Sequence, residues 1–384
     1  MMKLGDECMN ELTNRHLLII GQTGSGKTTS TLTLLDQLQS SGQANIVLDP
    51  TGEYAQLPNA IVYRLGENAY LEPGEFSAVQ LVEALGLHFD ERLSTAAASA
   101  VNDLRIQNNL RNQSGCYQRI SQPIATHQQE LEKLGRWSKS YAVQLLPDQL
   151  IEELVIPYDD QRADYQLLGQ TYDRQLIAAA WPKIIQLREL LASLAVRKLF
   201  GTIHQPQQVK TELNFVLQMF LNQRSAHKTL VIDLSALKTL AIGQRAVISL
   251  LMKRILEHRL QHNAAFPVNI IIDEAHRYLP ANEAKLAENG IFQVLREGRK
   301  VGLNMILTTQ SPLDLPAKLR SQFPNLLVHH LASPEEISSL NLDAQLVATV
   351  SGLGIGQAVA CQLNQPPRVI DVPLPGWLNN KGDF

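Results

Sequence analysis

Positions 21 to 28 read Gly-Gln-Thr-Gly-Ser-Gly-Lys-Thr, three glycines spaced so that consecutive backbone N–H groups can turn inward, with a lysine at the start of whatever follows. Such a run can hold phosphate, because converging N–H groups and the positive end of a helix dipole both favour an anion. The pattern predicts a cradle for the triphosphate of ATP lined by Gly21, Gln22, Thr23, Gly24, Ser25, Gly26, Lys27, Thr28 and Thr29, in which Lys27 reaches the β- and γ-phosphates and Thr28 ligates Mg²⁺. Far along the chain, the apolar run Ile270-Ile271-Ile272 ends in Asp273 and Glu274. An acid at the carboxyl end of a buried strand can hold Mg²⁺ through water, and the acid after it can orient and polarise an attacking water. Binding and hydrolysis of a nucleoside triphosphate need both groups of residues, and this chain has both.

Other residues fall where they could serve the same reaction. Gln310 follows the strand-like run Asn304 to Thr309 and is placed to sense the γ-phosphate and the water, the alternative being a strand-end cap by Thr308 or Thr309. Arg299 lies in Arg296-Glu297-Gly298-Arg299-Lys300, between the acidic strand and the Gln310 strand. Positive charge at a helix end is favourable in itself; the sharper expectation is that Arg299, or Arg296 in its place, crosses a subunit interface to stabilise a neighbour's transferring phosphoryl group. Asp49 and Glu53, in Asp-Pro-Thr-Gly-Glu-Tyr, are expected beside the phosphate loop, where Asp49 contributes to the nucleotide site; an Asp-Pro-Thr-Gly turn would also be ordinary sheet geometry. His276, Arg277 and Tyr278 are as readily packing residues as catalytic ones.

The elements that must position these groups are legible from hydrophobic period. Leu17 to Ile20, Asn45 to Asp49, Ile61 to Arg64, Thr229 to Asp233, 268 to 273, 304 to 310, Leu326 to His329, Gly356 to Gln362 and Val369 to Val372 read as strands, largely with helical stretches between them. The alternation predicts an α/β fold with a mainly parallel sheet, a RecA-like P-loop core. From about 78 the strand signals fade and helical periodicity takes over, at Glu91 to Asn109, Gln128 to Leu146 and Ile177 to Leu199, with breaks expected at Pro123, Pro147, Pro157 and Pro182. The expected organisation is therefore 1–77 as the first part of the core, 78–201 as a helical insertion, and 202–384 as the remainder.

The 384 residues are 45% hydrophobic, ample for a core, and carry a net charge of −3, so contact with nucleic acid would need a local basic cluster. Cys8, Cys116 and Cys361 show no metal-ligand spacing and read as reduced thiols. With no apolar run of membrane-span length and an acidic, polar amino terminus, the expectation is a cytoplasmic protein that does not enter the membrane.

Taken together, Gly-Gln-Thr-Gly-Ser-Gly-Lys-Thr, Asp-Pro-Thr-Gly-Glu-Tyr, Val231 to Ser235, Ile270 to Pro280 and Arg296 to Pro312 follow the order seen in HerA-type ATPases, and the chain resembles that branch of the FtsK-HerA superfamily. The resemblance implies a hexameric ring that hydrolyses ATP with Mg²⁺ and translocates double-stranded DNA, with a NurA-like nuclease or an antiphage effector as partner. It also implies that Lys27, Asp273 and Glu274 are the ATPase residues, that Arg299 is the trans finger, and that Asp49 lies near the site. HerA proteins usually carry an amino-terminal β-barrel, which the residues before Leu17 cannot hold. The expectation is that the insertion or a docked partner supplies the missing interface. Two other readings share the core: an ATP-dependent switch that gates an effector without translocation, and a secretion or conjugation ATPase. Asp-Glu-Ala-His also invites a two-lobed helicase reading, for which one sheet's worth of strands is too few.

Overall fold

The computed structural model describes residues 2–3, 11–135, 137–203, 210–223, 228–239, 243–262, 266–280, 283–340 and 344–379, so Cys8 lies outside the described residues. By its contacts the chain divides into two compact units, one of 1–64, 214–235 and 247–384, the other of 65–213 and 236–246.

The first unit is built on a ten-stranded sheet: β1 (Met2–Lys3), β2 (Leu17–Ile20), β3 (Ala44–Asp49), β4 (Ala60–Arg64), β9 (Thr229–Asp233), β10 (Val268–Ile272), β11 (Leu303–Thr309), β12 (Asn325–Val328), β13 (Gln357–Cys361) and β14 (Arg368–Asp371), the four omitted numbers being short strands of the second unit. Their order is β1-β14-β13-β12-β2-β11-β10-β3-β9-β4. From β12 to β4 every neighbouring pair is parallel, and the antiparallel pairs are β12 with β13 and β13 with β14. Parallel strands covered on both faces must be apolar on both, and Leu17 to Ile20, Ile46 to Leu48, Leu230 to Ile232 and Ile270 to Ile272 are all fully buried. A polar row fixes the register at the strands' amino ends. Asn269, opposite Asn45, donates to its Oδ1 at 3.1 Å, and Gln39 of the helix Lys27–Ser40 donates to Thr229 Oγ1 at 2.8 Å. That helix buries Leu34, Leu35 and Leu38 in the core.

The second unit is mainly helical, with helices Ala78–Ala84, Glu91–Asn109, Ile124–Lys133, Leu146–Glu153, Arg174–Ala192 and Leu194–Leu199. It also holds two short strand pairs, β5 (Ala69–Tyr70) with β8 (Thr211–Glu212) and β6 (Val155–Ile156) with β7 (Thr171–Tyr172). It is wider than the 78–201 segment expected. The helix expected over Gln128 to Leu146 ends at Lys133, and the next α-helix begins only at Leu146. The long one expected over Ile177 to Leu199 divides at Ser193, whose hydroxyl caps the next helix by accepting Val196 N–H. Pro182, expected to break a helix, lies inside one, and between Glu283 and Lys300 the chain is α-helical only at Gly290–Glu297. Among the described residues no helix is long and apolar enough to cross a membrane.

Candidate nucleotide site

The sheet order puts β11 between β2 and β10, so the carboxyl ends of three adjacent parallel strands open onto one place. β2 delivers the loop 21–26. Gly24 and Gly26 have φ of +80° and +108°, a region open to glycine at little cost. Gly21 has no room for a side chain, because a Cβ there would stand 2.5 Å from His329 Cβ. The helix that begins at Lys27 has no side-chain cap, so its first N–H groups are offered outward, the arrangement that binds anions. Lys27 is 7% exposed, and its Nζ donates to Gly21 O at 2.6 Å and Gln22 O at 3.1 Å. An ammonium has three donors, which leaves one for a phosphate. Burial pulls its pKa down, opposed by the nearby charges of Glu274 and Asp273. Thr23, Gly24 and Thr28 are exposed, Gln22 and Thr29 half-buried, and Ser25 Oγ is buried with no hydrogen-bond partner.

β10 delivers the acids. Asp273 Oδ2 accepts Tyr54 Oη at 3.2 Å, and its Oδ1 accepts the hydroxyl of Thr308 on β11 and the Glu274 N–H at 3.0 Å. That N–H also points at Thr308 Oγ1, 2.9 Å away. These contacts hold Glu274 in a left-handed backbone, φ +49° and ψ +45°, a conformation that costs a non-glycine residue of order 1–3 kcal/mol. Glu274 Oε1 accepts Gln310 Nε2 at 3.2 Å. Its Oε2 is buried without a hydrogen-bond partner, 3.5 Å from His276 Nδ1. The structure therefore brings Lys27, Asp273, Glu274 and Gln310 to the ends of the three neighbouring strands.

Asp49 lies beside Asp273, since Leu48 pairs with Ile272, and Arg299 lies elsewhere. Asp49 ends β3, which is separated from β2 by β10 and β11, so it is not beside the phosphate loop. Its carboxylate, fully buried, takes the N–H groups of Thr51, Gly52, Glu53 and Tyr54 and the Thr51 hydroxyl. Burial pushes its pKa up against those bonds. Four of these bonds fall on Oδ1 and only the Tyr54 N–H on Oδ2, so Asp49 folds its own loop and keeps one lone pair on Oδ2. What that loop contributes is Tyr54, 1% exposed and directed at Asp273. Arg299 is exposed on the turn before β11. The seven residues of that strand put it roughly 20 Å along the sheet from Gln310, at the end where its charge helps hold the pKa of His16 down.

The roles of Tyr54 and His329 escaped the sequence reading, and Thr308, read there as a strand-end cap, holds Asp273. His329, fully buried, donates its backbone N–H to Ile20 O at 2.7 Å, while its ring bridges Gln357 O and Ser30 Oγ at 2.9 Å each. A carbonyl can only accept, so Nδ1 carries the proton and Nε2 takes the Ser30 hydroxyl. Burial lowers the pKa to about 4, Lys27 acting in the same sense, and the ring stays neutral. His330 O accepts Gln22 N–H at 3.1 Å. The available signal was two histidines directly after an apolar strand.

A phosphate loop on a RecA-like sheet, with the acid-bearing strand one strand removed from it, defines a P-loop ATPase. The family model described as "Helicase HerA, central domain" matches residues 8–255, and the chain belongs to that family, the HerA-type branch of the FtsK-HerA ATPases. A second model, zonular occludens toxin, matches 198–332. A probable helicase of Methanocaldococcus jannaschii is 24% identical over 91% of this chain and 60% of its own length. A probable DNA double-strand break repair helicase HerA of the same organism is 21% identical over 91% and 69%. The chain thus spans about three-fifths of the length of the first of these relatives. Among solved structures, VirB4 of Thermoanaerobacter pseudethanolicus superposes with a TM-score of 0.60 at 12% identity over 94% of this chain and 90% of that one. The bacterial conjugative coupling protein TrwB superposes with 0.57 at 15% over 94% and 87%. Both share the fold.

Proposed function

We propose that the chain is the motor of a HerA-type translocase, hydrolysing ATP with Mg²⁺ to move double-stranded DNA through a homo-oligomeric ring, hexameric as the resemblance implies, with a nuclease or effector protein as partner. The observation that carries the ATPase part is the convergence of Lys27, Asp273, Glu274 and Gln310. The uncapped helix and the loop N–H groups bind the phosphates, and the third donor of Lys27 takes a γ-oxygen. The residues suit Mg²⁺: Thr28 is exposed at the helix start, and Asp273 keeps one lone pair for a metal-bound water. The ion would neutralise charge on the phosphates. Glu274 Oε2, which takes no hydrogen bond from any described residue, accepts a proton from the attacking water while Gln310 holds the other oxygen. The DNA part rests on the names of the relatives.

Glu274→Gln should bind ATP with unchanged affinity and lose at least about a hundredfold in kcat, because the carboxylate acts in the transition state. Wild-type turnover by this variant sinks the assignment. Stimulation of the wild-type ATPase by duplex DNA supports a translocase; an ATPase indifferent to DNA favours the switch. Arg299, too far along the sheet to reach its own loop, serves a neighbour in this reading. Arg299→Ala mixed with Lys27→Ala should then regain turnover that neither has alone, and no recovery despite subunit exchange removes Arg299 from the mechanism.

A further inference from the structure

β12 ends at Val328, whose partner on β2 is Ile20, and the two chains stay paired past the strand ends. His329 N–H reaches Ile20 O at 2.7 Å, and His330 O takes Gln22 N–H at 3.1 Å. His329 therefore stands directly against the phosphate loop. Its Cβ leaves Gly21 no room for a side chain, and a Cβ on Gly26 would meet its Cε1 at 3.8 Å. The ring is fully buried, with Nδ1–H on Gln357 O and Nε2 on the Ser30 hydroxyl, each at 2.9 Å. Ser30 closes the first turn of the helix, since its own N–H is bonded to Gly26 O at 2.9 Å. One side chain thus lies against both ends of the loop and grips the turn whose outward N–H groups are offered to the phosphates.

Such a bridge adds little to stability. Replacing both partners of a buried hydrogen bond by apolar groups of the same shape is nearly neutral, whereas a satisfied polar network fixes one arrangement of the groups it joins. What the bridge supplies is geometry, and the geometry is that of Gly21, Gly26 and Ser30. Farther along, the same helix is tied to the segment after β14, where Gly376 N–H donates to Asp36 Oδ2 at 3.0 Å. That contact holds the helix without touching its first turn.

We propose that His329 is a positioning residue for phosphate binding, its bridge from Gln357 O to Ser30 holding the loop and the first helical turn in the shape that brings their N–H groups together. It acts through Ser30 and the loop glycines and touches no substrate atom. This inference rests on the nucleotide-hydrolysing reading of the site.

The test is calorimetric titration of the full chain with ATP and with inorganic tripolyphosphate, in EDTA to prevent turnover, followed by steady-state hydrolysis with Mg²⁺. Ser30→Ala removes the donor and keeps the helix, because alanine is the best helix former. It should weaken both ligands equally, by about fivefold, and raise KM while kcat changes less than about twofold. His329→Asn keeps a donor for Gln357 O and loses the acceptor for Ser30. It should weaken both ligands to the same extent, and adding Ser30→Ala to it should cost nothing further. His329→Gln, with an acceptor where Nε2 stood, should return affinity to within about twofold of wild type. Asp36→Ala, which loosens the same helix elsewhere, should leave both affinities unchanged. Ser30→Ala decides alone where His329→Asn does not fold. A lower melting temperature with unchanged affinities, a loss confined to kcat, additive losses, no recovery with Gln, or an equal loss in Asp36→Ala overturns the positioning role while wild-type binding keeps the phosphate site standing. No binding of either ligand by wild type overturns both.

Discussion

In the second unit Arg119 joins Asp103 at 3.0 Å to Glu153, His127 closes on Asp103 at 2.6 Å, and Gln149 ties Glu153 to the backbone of Tyr117. Tyr117 and Arg111 then share Glu130. Apart from Arg119 Nε, the charged groups of this buried network answer one another. At the carboxyl ends of β2, β10 and β11 the treatment is different. Ser25 Oγ and Glu274 Oε2 are buried without hydrogen-bond partners, the helix at Lys27 is uncapped, and Glu274 sits in a left-handed backbone. Both regions bury comparable chemistry, and what separates them is satisfaction. A polar cluster that is matched within itself is architecture, whereas unmatched groups gathered around one opening are, in the function proposed above, held for a ligand, and leaving them unsatisfied costs stability.

Breaking the matched network should give the largest structural effect. Arg119→Met leaves the Asp103 and Glu153 carboxylates, whose side chains are 1% and 3% exposed, without their cation. Removing one partner of a buried pair costs about 3–5 kcal/mol. Urea unfolding followed by hydrogen exchange should locate the loss in 65–213, with ATP affinity changed less than about twofold. Intact stability together with lost ATP binding would reverse the roles assigned to the two regions.

A smaller effect is expected where the site borrows architecture. Tyr54→Phe removes the hydroxyl that aims Asp273 and nothing else, and a hydrogen bond to a charged group is worth about 1.5 kcal/mol. The expected outcome is a kcat roughly tenfold lower and a raised half-saturating Mg²⁺ concentration, with ATP affinity in EDTA unchanged. A merely packing role for Tyr54 would lower the melting temperature and leave the Mg²⁺ dependence alone.

The smallest effect is one of sign. Burial lowers His16 and His329, both in the first unit, to about 4. In the unfolded chain they titrate near about 6.5, so their contribution is complete above that pH and is lost as pH falls toward 4. Glu153, in the second unit, is pushed up by burial and by Asp103, against Arg119. Its contribution is complete below the ordinary carboxylate range and falls as pH rises. From about pH 5 to 6.5 the first unit should gain protection from hydrogen exchange and the second lose it, after correction for intrinsic exchange rates. Parallel changes in both units would show that these groups do not control the pH response.

The sequence by itself determined the local parts of this protein. Parallel strands buried on two faces must be continuously apolar, and a phosphate loop must be glycine-rich and contiguous, so β2, β3, β9, β10 and β11 and the residues Lys27, Asp273, Glu274 and Gln310 could be read from period and spacing. Glu91–Asn109 was readable for the same reason, since its helical period runs uninterrupted behind an Asp90 cap. The structure alone decided what depends on partners distant in sequence. That Tyr54 reaches Asp273 across 219 positions and that His329 locks Ser30 across 299 both follow from strand order. A side chain's role is set by the donors and acceptors that the fold brings within about 3 Å, and spacing along the chain carries no record of that distance.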